Sequence, residues 1–170
     1  MPRGAYARGT KHALGRSDER TPSVAEPSQA GYWRAMSQEN VDGVRKSLDA
    51  WNCGDVDGWL ESAHPEIEWV SEIAVRLEGS ERVYRGLAEM RDYWADWHAT
   101  WDVRIEISET FDLGEKVVAV ADISTRGGAS GIGLERQVAY VFEFEYGRAR
   151  RVRSYFDRQE ALDAAARVPR

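Results

Sequence analysis

The segment from residue 51 to residue 70 constrains the fold most, because it combines the end of one helix, a second short helix and the start of a strand. Gly54 is typical of the position just after a helix, where the backbone is left-handed. Asp55 comes next and can cap the second helix with its carboxylate. Pro65 is expected to end that helix. Residues 66–69 then alternate between acidic and apolar side chains, which indicates a strand.

Apolar periodicity predicts the other elements of secondary structure. A three-to-four-residue spacing predicts helices at 37–53, 55–63 and 87–99. A two-residue spacing predicts strands at 67–72, 101–111, 116–124, 134–146 and 148–156, with a short strand within 73–84 and a final helix over 157–166. Helices followed by a run of antiparallel strands indicate the α+β class, with a curved sheet wrapped around the helices.

The chain has the length of one domain, at 170 residues. Residues 1–35 are rich in Gly, Ser, Pro, Ala and charge and lack apolar periodicity, so we expect a disordered or loosely packed extension. Residues 36–170 form the predicted single domain, with Ser37 as the N-cap of its first helix. Tyr32 and Trp33 are the exception, because these aromatic side chains could fold back onto the domain.

Four motifs in order resemble the nuclear transport factor 2-like superfamily, and its SnoaL-like branch in particular. They are the 51–70 segment, Tyr84-Arg-Gly86, the 147–157 strand with its Tyr-Phe-Asp end, and Glu160-Ala-Leu162. The resemblance covers about residues 37 to 166. It implies a cone-shaped, mixed or antiparallel sheet around three helices, a cavity at the mouth of the cone, and a homodimer formed through the sheet.

The resemblance also allows two known chemistries to be compared with this chain. Where ketosteroid isomerases of the superfamily have an oxyanion tyrosine and a general-base aspartate, this chain has Ser47 and Trp69. Where limonene-epoxide-type hydrolases have their water-activating base, it has Ser154, and of their arginine–aspartate pair only Asp122 is retained. Neither catalytic set is complete, so both activities are disfavoured.

Net charge and residue spacing disfavour several classes of partner. A formal net charge of −6 and a pI near 5.2 argue against binding to nucleic acid or anionic membranes. The chain lacks a run of 18 apolar residues, so we expect no membrane span. The N-terminus has arginines but not the apolar segment of a secretory signal, so a cytoplasmic location is the default expectation. The three histidines and the single cysteine lack metal-ligand spacing, so neither a metal nor a cofactor is expected.

Asp122 and His64 are the candidate acid–base residues. Asp122 interrupts an apolar strand, and its carboxylate would have a raised pKa if its face of the strand looked into the cavity. The alternative is a structural pair with an arginine. His64 precedes Pro65 and would either bond the last carbonyls of the second helix or act in the cavity.

The candidate ligand-binding residues combine the resemblance positions with large aromatic side chains. They are Ser47, Trp51, Trp69, Trp94, Tyr140, Ser154 and Phe156. Two hypotheses remain open. The chain either binds a small hydrophobic ligand in an aromatic-lined cavity, with cofactor-free cyclase- or isomerase-type acid–base catalysis as a further step, or it is a non-enzymatic ligand carrier or dimerising scaffold.

Overall fold

The computed structural model describes residues 28–72, 75, 82–127 and 133–167. Helices lie at α1 (Gln29–Cys53), α2 (Val56–Leu60), α3 (Gly86–Thr100) and α4 (Arg158–Ala166). Strands lie at β1 (Ala63–Val70), β2 (Val83–Arg85), β3 (Trp101–Asp112), β4 (Lys116–Gly127), β5 (Gly133–Glu145) and β6 (Arg148–Tyr155). The α+β prediction is confirmed.

The described strands form one mixed sheet in the order β2-β1-β6-β5-β4-β3. Strands β1 and β6 are parallel, and the other neighbours are antiparallel. Register shifts interrupt the β1–β6, β3–β4 and β5–β6 pairs. Such bulges increase local bending and twist, which lets the sheet curve around α1, α2 and α3 as a cone.

The N-terminal helix starts earlier than the sequence predicted. Ser28, not Ser37, is the N-cap, since its hydroxyl accepts the N–H of Gly31 at 3.3 Å. Ser37 lies within α1, where its hydroxyl donates to Asp112. Residues 28–35, which we expected to be part of the extension, therefore lie at the start of a helix, although their side chains are exposed. Residues 1–27 lie outside the described part, and the domain boundary at 36 stays a prediction.

The aromatic pair near the start of α1 does not fold back onto the core. Tyr32 and Trp33 contact each other edge to face at 5.8 Å and are both about half exposed.

Pro65 also differs from its predicted role, because it lies in β1 rather than ending α2. It falls within the register shift between β1 and β6, where a missing N–H is tolerated.

Two hydrophobic clusters lie on opposite faces of the sheet. The larger is enclosed between α1, α2, α3 and the concave face, and it includes Val117, Ala119, Ala121 and Ile123 of β4. The smaller lies on the outer face, where Ala161 and Ala165 of α4 cover Val118, Val120, Ala139 and Val141. Apolar groups on both faces of β4 are thus covered within one chain. A partner sheet is not needed for that purpose, and the homodimer stays a prediction.

None of the helices that the structure describes is long and apolar enough to cross a membrane.

Candidate functional site

A cavity of about 390 Å³ opens between the helices and the concave face of the sheet. Its size lies within the range of small-molecule sites. The wall is almost entirely apolar and aromatic. It is formed by Leu48, Trp51, Trp59, Trp69, Tyr93, Trp97, Trp101, Val103, Ile105, Ile123, Thr125, Gly133, Arg136, Val138, Tyr140 and Phe156.

Five of the seven tryptophans line this cavity, at positions 51, 59, 69, 97 and 101. The remaining two do not line it: Trp33 is exposed, and Trp94 is half-buried and packs against the core cluster. The tryptophans of α1, α2 and β1 pack edge to face, with ring centroids 5.1 Å apart for Trp51 and Trp59 and 5.9 Å apart for Trp59 and Trp69. They line the cavity without filling it.

Tyr93 lies at the centre of the aromatic cluster. Its ring centroid lies 5.7 Å from that of Trp69, 6.0 Å from that of Trp97 and 6.2 Å from that of Trp51. This residue was not among those predicted from the sequence. Helical spacing could have identified it. Tyr93 comes three residues after Met90 and four before Trp97, which places all three on one face of α3.

Tyr140 contributes a buried phenol to the cavity wall. Its ring lies 5.9 Å from that of Trp69, and its hydroxyl has no hydrogen-bond partner among the described residues. Burial, with a smaller contribution from Tyr93, raises the pKa of Tyr140 far above its ordinary value of 10.0. The phenol therefore stays protonated and can donate a hydrogen bond into the cavity.

Arg136 is the one charged side chain among the described lining residues. It shares a face of β5 with Val138 and Tyr140, but it lies nearer the end of the strand and is exposed. Its guanidinium carbon lies 4.1 Å from the ring centroid of Phe156, a cation–π distance. The cavity therefore has an apolar interior and a cationic group at its edge.

Four of the seven predicted ligand-binding residues line the cavity: Trp51, Trp69, Tyr140 and Phe156. The other three do not. Ser47 is buried between α1 and α2, where its hydroxyl donates to the carbonyl oxygen of Trp59 at 3.1 Å. Ser154 is buried and accepts the N–H of Glu72 at 2.8 Å.

Trp94, the third of these, stacks on His98 with a centroid distance of 3.8 Å. It is half-buried and packs against the core cluster, but it does not line the cavity.

Asp122 lies on the face of β4 opposite to the cavity. Its neighbours Ile123 and Thr125 line the cavity wall, whereas the Asp122 side chain is exposed and accepts Gln137 Nε2 at 3.3 Å. A catalytic role for Asp122 required its face of β4 to point into the cone, and that face points away from it. The expectation of a carboxylate in the cavity is therefore corrected.

His64 is also outside the cavity wall. It lies in β1 rather than at the end of α2, and its Nδ1 accepts the N–H of Glu66 at 3.1 Å. The predicted bond to the last carbonyls of α2 is replaced by this local contact. No described group of three or more His, Cys, Asp or Glu side chains is arranged to hold a metal ion.

An α+β cone that encloses a ligand-sized apolar cavity defines the nuclear transport factor 2-like class. Within that class, residues 44–152 match the family model of the SnoaL-like domain. The match spans more than half of the chain, and the chain belongs to this family. No curated protein matches the chain.

Solved structures share the fold at low sequence identity. A nuclear transport factor 2-like protein of unknown function from Burkholderia pseudomallei K96243 is 22% identical, with a TM-score of 0.64 over 76% of this chain and 98% of that one. TerC, co-crystallised with polyporic acid, is 20% identical, with a TM-score of 0.63 over 75% and 97%. A candidate SnoaL-like polyketide cyclase from Jannaschia sp. CCS1 is 17% identical, with a TM-score of 0.62 over 79% and 96%.

Proposed function

We propose that this SnoaL-like protein binds a small hydrophobic molecule with planar rings in its aromatic cavity. The observation that carries the proposal is the 390 Å³ cavity, whose wall includes five tryptophans and two tyrosines. Aromatic walls favour flat ring systems, because offset and edge-to-face contacts add to the gain from burying apolar surface. The likeness to a fold neighbour co-crystallised with polyporic acid and to a candidate polyketide cyclase supports the same class of ligand.

Binding without turnover is favoured over acid–base catalysis. A cofactor-free cyclase or isomerase needs a base next to the reacting carbon. The described residues of the cavity wall include neither a carboxylate nor an imidazole. The phenol of Tyr140 can donate a proton in a hydrogen bond, but burial raises its pKa and prevents it from acting as a base near neutral pH.

The test is a binding screen that uses the intrinsic tryptophans as reporters. The full chain is titrated with anthraquinones, steroids and terpenoid epoxides while fluorescence and the melting temperature are recorded. Quenching together with a rise in melting temperature for the planar ring compounds is the expected result, because a ligand that binds only the folded state stabilises it.

A matched pair of variants locates the binding. Thr125→Trp places a large ring against the cavity, whereas Ser124→Trp places the same ring on the opposite face of β4. We expect the first to abolish the quenching titration and the second to leave it intact. Equal titrations in both variants, or no response of the wild type to any compound class, would rule out the cavity as a binding site.

A further inference from the structure

We propose that the ligand is an organic acid, with a flat apolar body in the aromatic cavity and an anionic group, such as a carboxylate, bound by Arg136 at the cavity edge. This inference rests on the proposed function and specifies the chemical class of the ligand. It assigns Arg136 as the residue that determines specificity for that class.

The position of Arg136 is fixed by the strand that carries it. Side chains at alternate positions of β5 share a face, so Arg136 points to the same side of the sheet as Val138 and Tyr140. Phe156, which also lines the cavity, supports the guanidinium from one side at 4.1 Å. Stacking of this kind orients the flat guanidinium group while leaving its N–H donors available for hydrogen bonds.

Arg136 has no carboxylate partner within ion-pair distance among the described residues. Asp122 and Glu135 border a neighbouring surface hollow that Arg136 also touches, yet neither forms an ion pair with it. Arg150 and Arg151 of β6 differ in this respect, because each contacts two carboxylates. In a chain with a net charge of −6, an arginine without such a partner beside an apolar cavity is a ready anion site.

An anion is favoured at this position because Arg136 is the one charged side chain among the described residues of the cavity wall. Burying an unpaired charge in apolar surroundings is strongly unfavourable. A carboxylate held in a bidentate pair by a guanidinium avoids that penalty at the cavity edge, while the uncharged part of the ligand fills the interior.

Tyr140 adds a second polar contact deeper in the cavity. It lies four residues from Arg136 on the same face of β5, a separation of about 13 Å along the strand. Its hydroxyl, unpartnered within the described residues, can donate to a carbonyl or hydroxyl oxygen. A fused-ring acid with an oxygen function remote from its acidic group matches both contacts.

The test compares one acid with its neutral ester. Anthraquinone-2-carboxylate and its methyl ester are titrated into the full chain by isothermal titration calorimetry and tryptophan quenching. The wild type is expected to bind the acid more tightly. Arg136→Gln is expected to weaken binding of the acid about 10- to 100-fold, the range of a charge-assisted pair, and to leave the ester within about threefold.

Two further variants separate a direct contact from a general charge effect. Arg126→Gln removes the same charge from the outer face of neighbouring β4 and is expected to leave the preference for the acid unchanged. Arg136→Lys keeps the positive charge but loses the planar guanidinium group and its paired N–H donors, so we expect an affinity for the acid between those of the wild type and Arg136→Gln. Melting temperatures establish that each variant is folded.

The outcomes distinguish this inference from the function on which it rests. If the wild type binds acid and ester equally, or if Arg126→Gln weakens the acid as much as Arg136→Gln does, the assignment of Arg136 is overturned and the binding function stands. If neither probe binds, while neutral ring compounds still quench the tryptophans, the acid class is overturned. If no compound binds at all, both proposals are overturned.

Discussion

The side-chain amide of Asn52 forms two hydrogen bonds with the backbone of Ile105. Its Nδ2 donates to the carbonyl oxygen at 2.7 Å, and its Oδ1 accepts the N–H at 2.8 Å. Ile105 belongs to β3, one of the two edge strands of the described sheet, where outward-facing backbone groups have no strand partner. The amide takes the place of a neighbouring strand and fixes the end of α1 to the cavity wall.

Asn52→Ala is expected to lower the free energy of unfolding by about 2 kcal/mol, because it removes two hydrogen bonds to partly buried groups. Chemical denaturation measures the change. The control is Gln38→Ala on the same helix, whose amide bonds only the exposed Asp42 side chain and whose loss should change stability by less than about 0.5 kcal/mol. Equal losses in the two variants would mean that the Asn52 contact contributes nothing specific.

Two glycines provide a prediction about backbone conformation. Gly86 begins α3 with a φ of 72°, and a Cβ there would lie 3.4 Å from the carbonyl oxygen of Pro65. Gly43 lies inside α1, with the nearest atom to an added Cβ at 3.8 Å. We expect Gly86→Ala to destabilise the fold by about 1 kcal/mol or more and Gly43→Ala to stabilise it by about 0.5–1 kcal/mol. Thermal and urea unfolding measure both, and effects of the same sign would contradict this explanation.

The order and type of the longer described elements could be predicted from the sequence because periodicity and helix ends are local signals. The short strand expected within 73–84 lies mostly outside the described residues, and β2 is described only at Val83–Arg85. The start of α1 could not, since Ser28 and Ser37 are equally good N-caps by residue type. The choice between them depends on tertiary contacts that neither local sequence contains. Ser37 is used within the helix for a contact with Asp112, 75 residues away in the chain.

The strand β4 shows most clearly what residue periodicity cannot predict, namely which of its two faces points into the cone. Alternation separates Asp122 from Ile123, but it does not tell which of the two points into the cone. Both faces of this strand are apolar, because α4 covers the outer one. The pairing with β5, which sets Asp122 opposite Gln137 on the outer face, is not visible in either strand alone.

Arg136 could have been found from the sequence by alternation. Val138, Tyr140 and Phe142 share one face of a predicted strand, and extending that alternation by one step towards the N-terminus includes Arg136.

The prediction that Ser47 and Ser154 bind a ligand has a different weakness. They were selected from positions of catalytic residues in similar proteins, whereas in this chain both hydroxyls are engaged by backbone groups.

His98 is predicted to stabilise the packing of α3 against α1. Its Nδ1 lies 3.0 Å from the carbonyl oxygen of Trp94, its Nε2 lies 3.3 Å from that of Trp51, and its ring contacts both indoles. His98→Phe keeps an aromatic ring but loses both polar contacts. We expect the free energy of unfolding to fall by about 1–2 kcal/mol.

Chemical denaturation compares this variant with His64→Phe. The latter removes a single contact to Glu66 two residues away and should have the smaller effect. A larger loss at position 64 would show that the link between the helices is unimportant.

Tyr140→Phe is expected to alter how stability depends on alkaline pH. Burial raises the pKa of Tyr140 in the folded chain above 10.0, whereas in the unfolded chain the phenol ionises near that ordinary value. Above about pH 10 the unfolded state therefore binds fewer protons than the folded state, so the free energy of unfolding falls as the pH rises. The slope from this one group is about 1.4 kcal/mol per pH unit. Below about pH 10 the contribution is constant.

Denaturation of the wild type and Tyr140→Phe at about pH 8 and about pH 11 measures this effect. The two proteins should have similar stability at the lower pH, because the hydroxyl has no partner among the described residues, and the variant should lose less stability at the higher pH. Tyr146→Phe is the control, since that side chain is 90% exposed. If Tyr140→Phe and Tyr146→Phe lose stability in parallel, the phenol at position 140 is not buried as described, and its role as a protonated donor in the cavity is wrong.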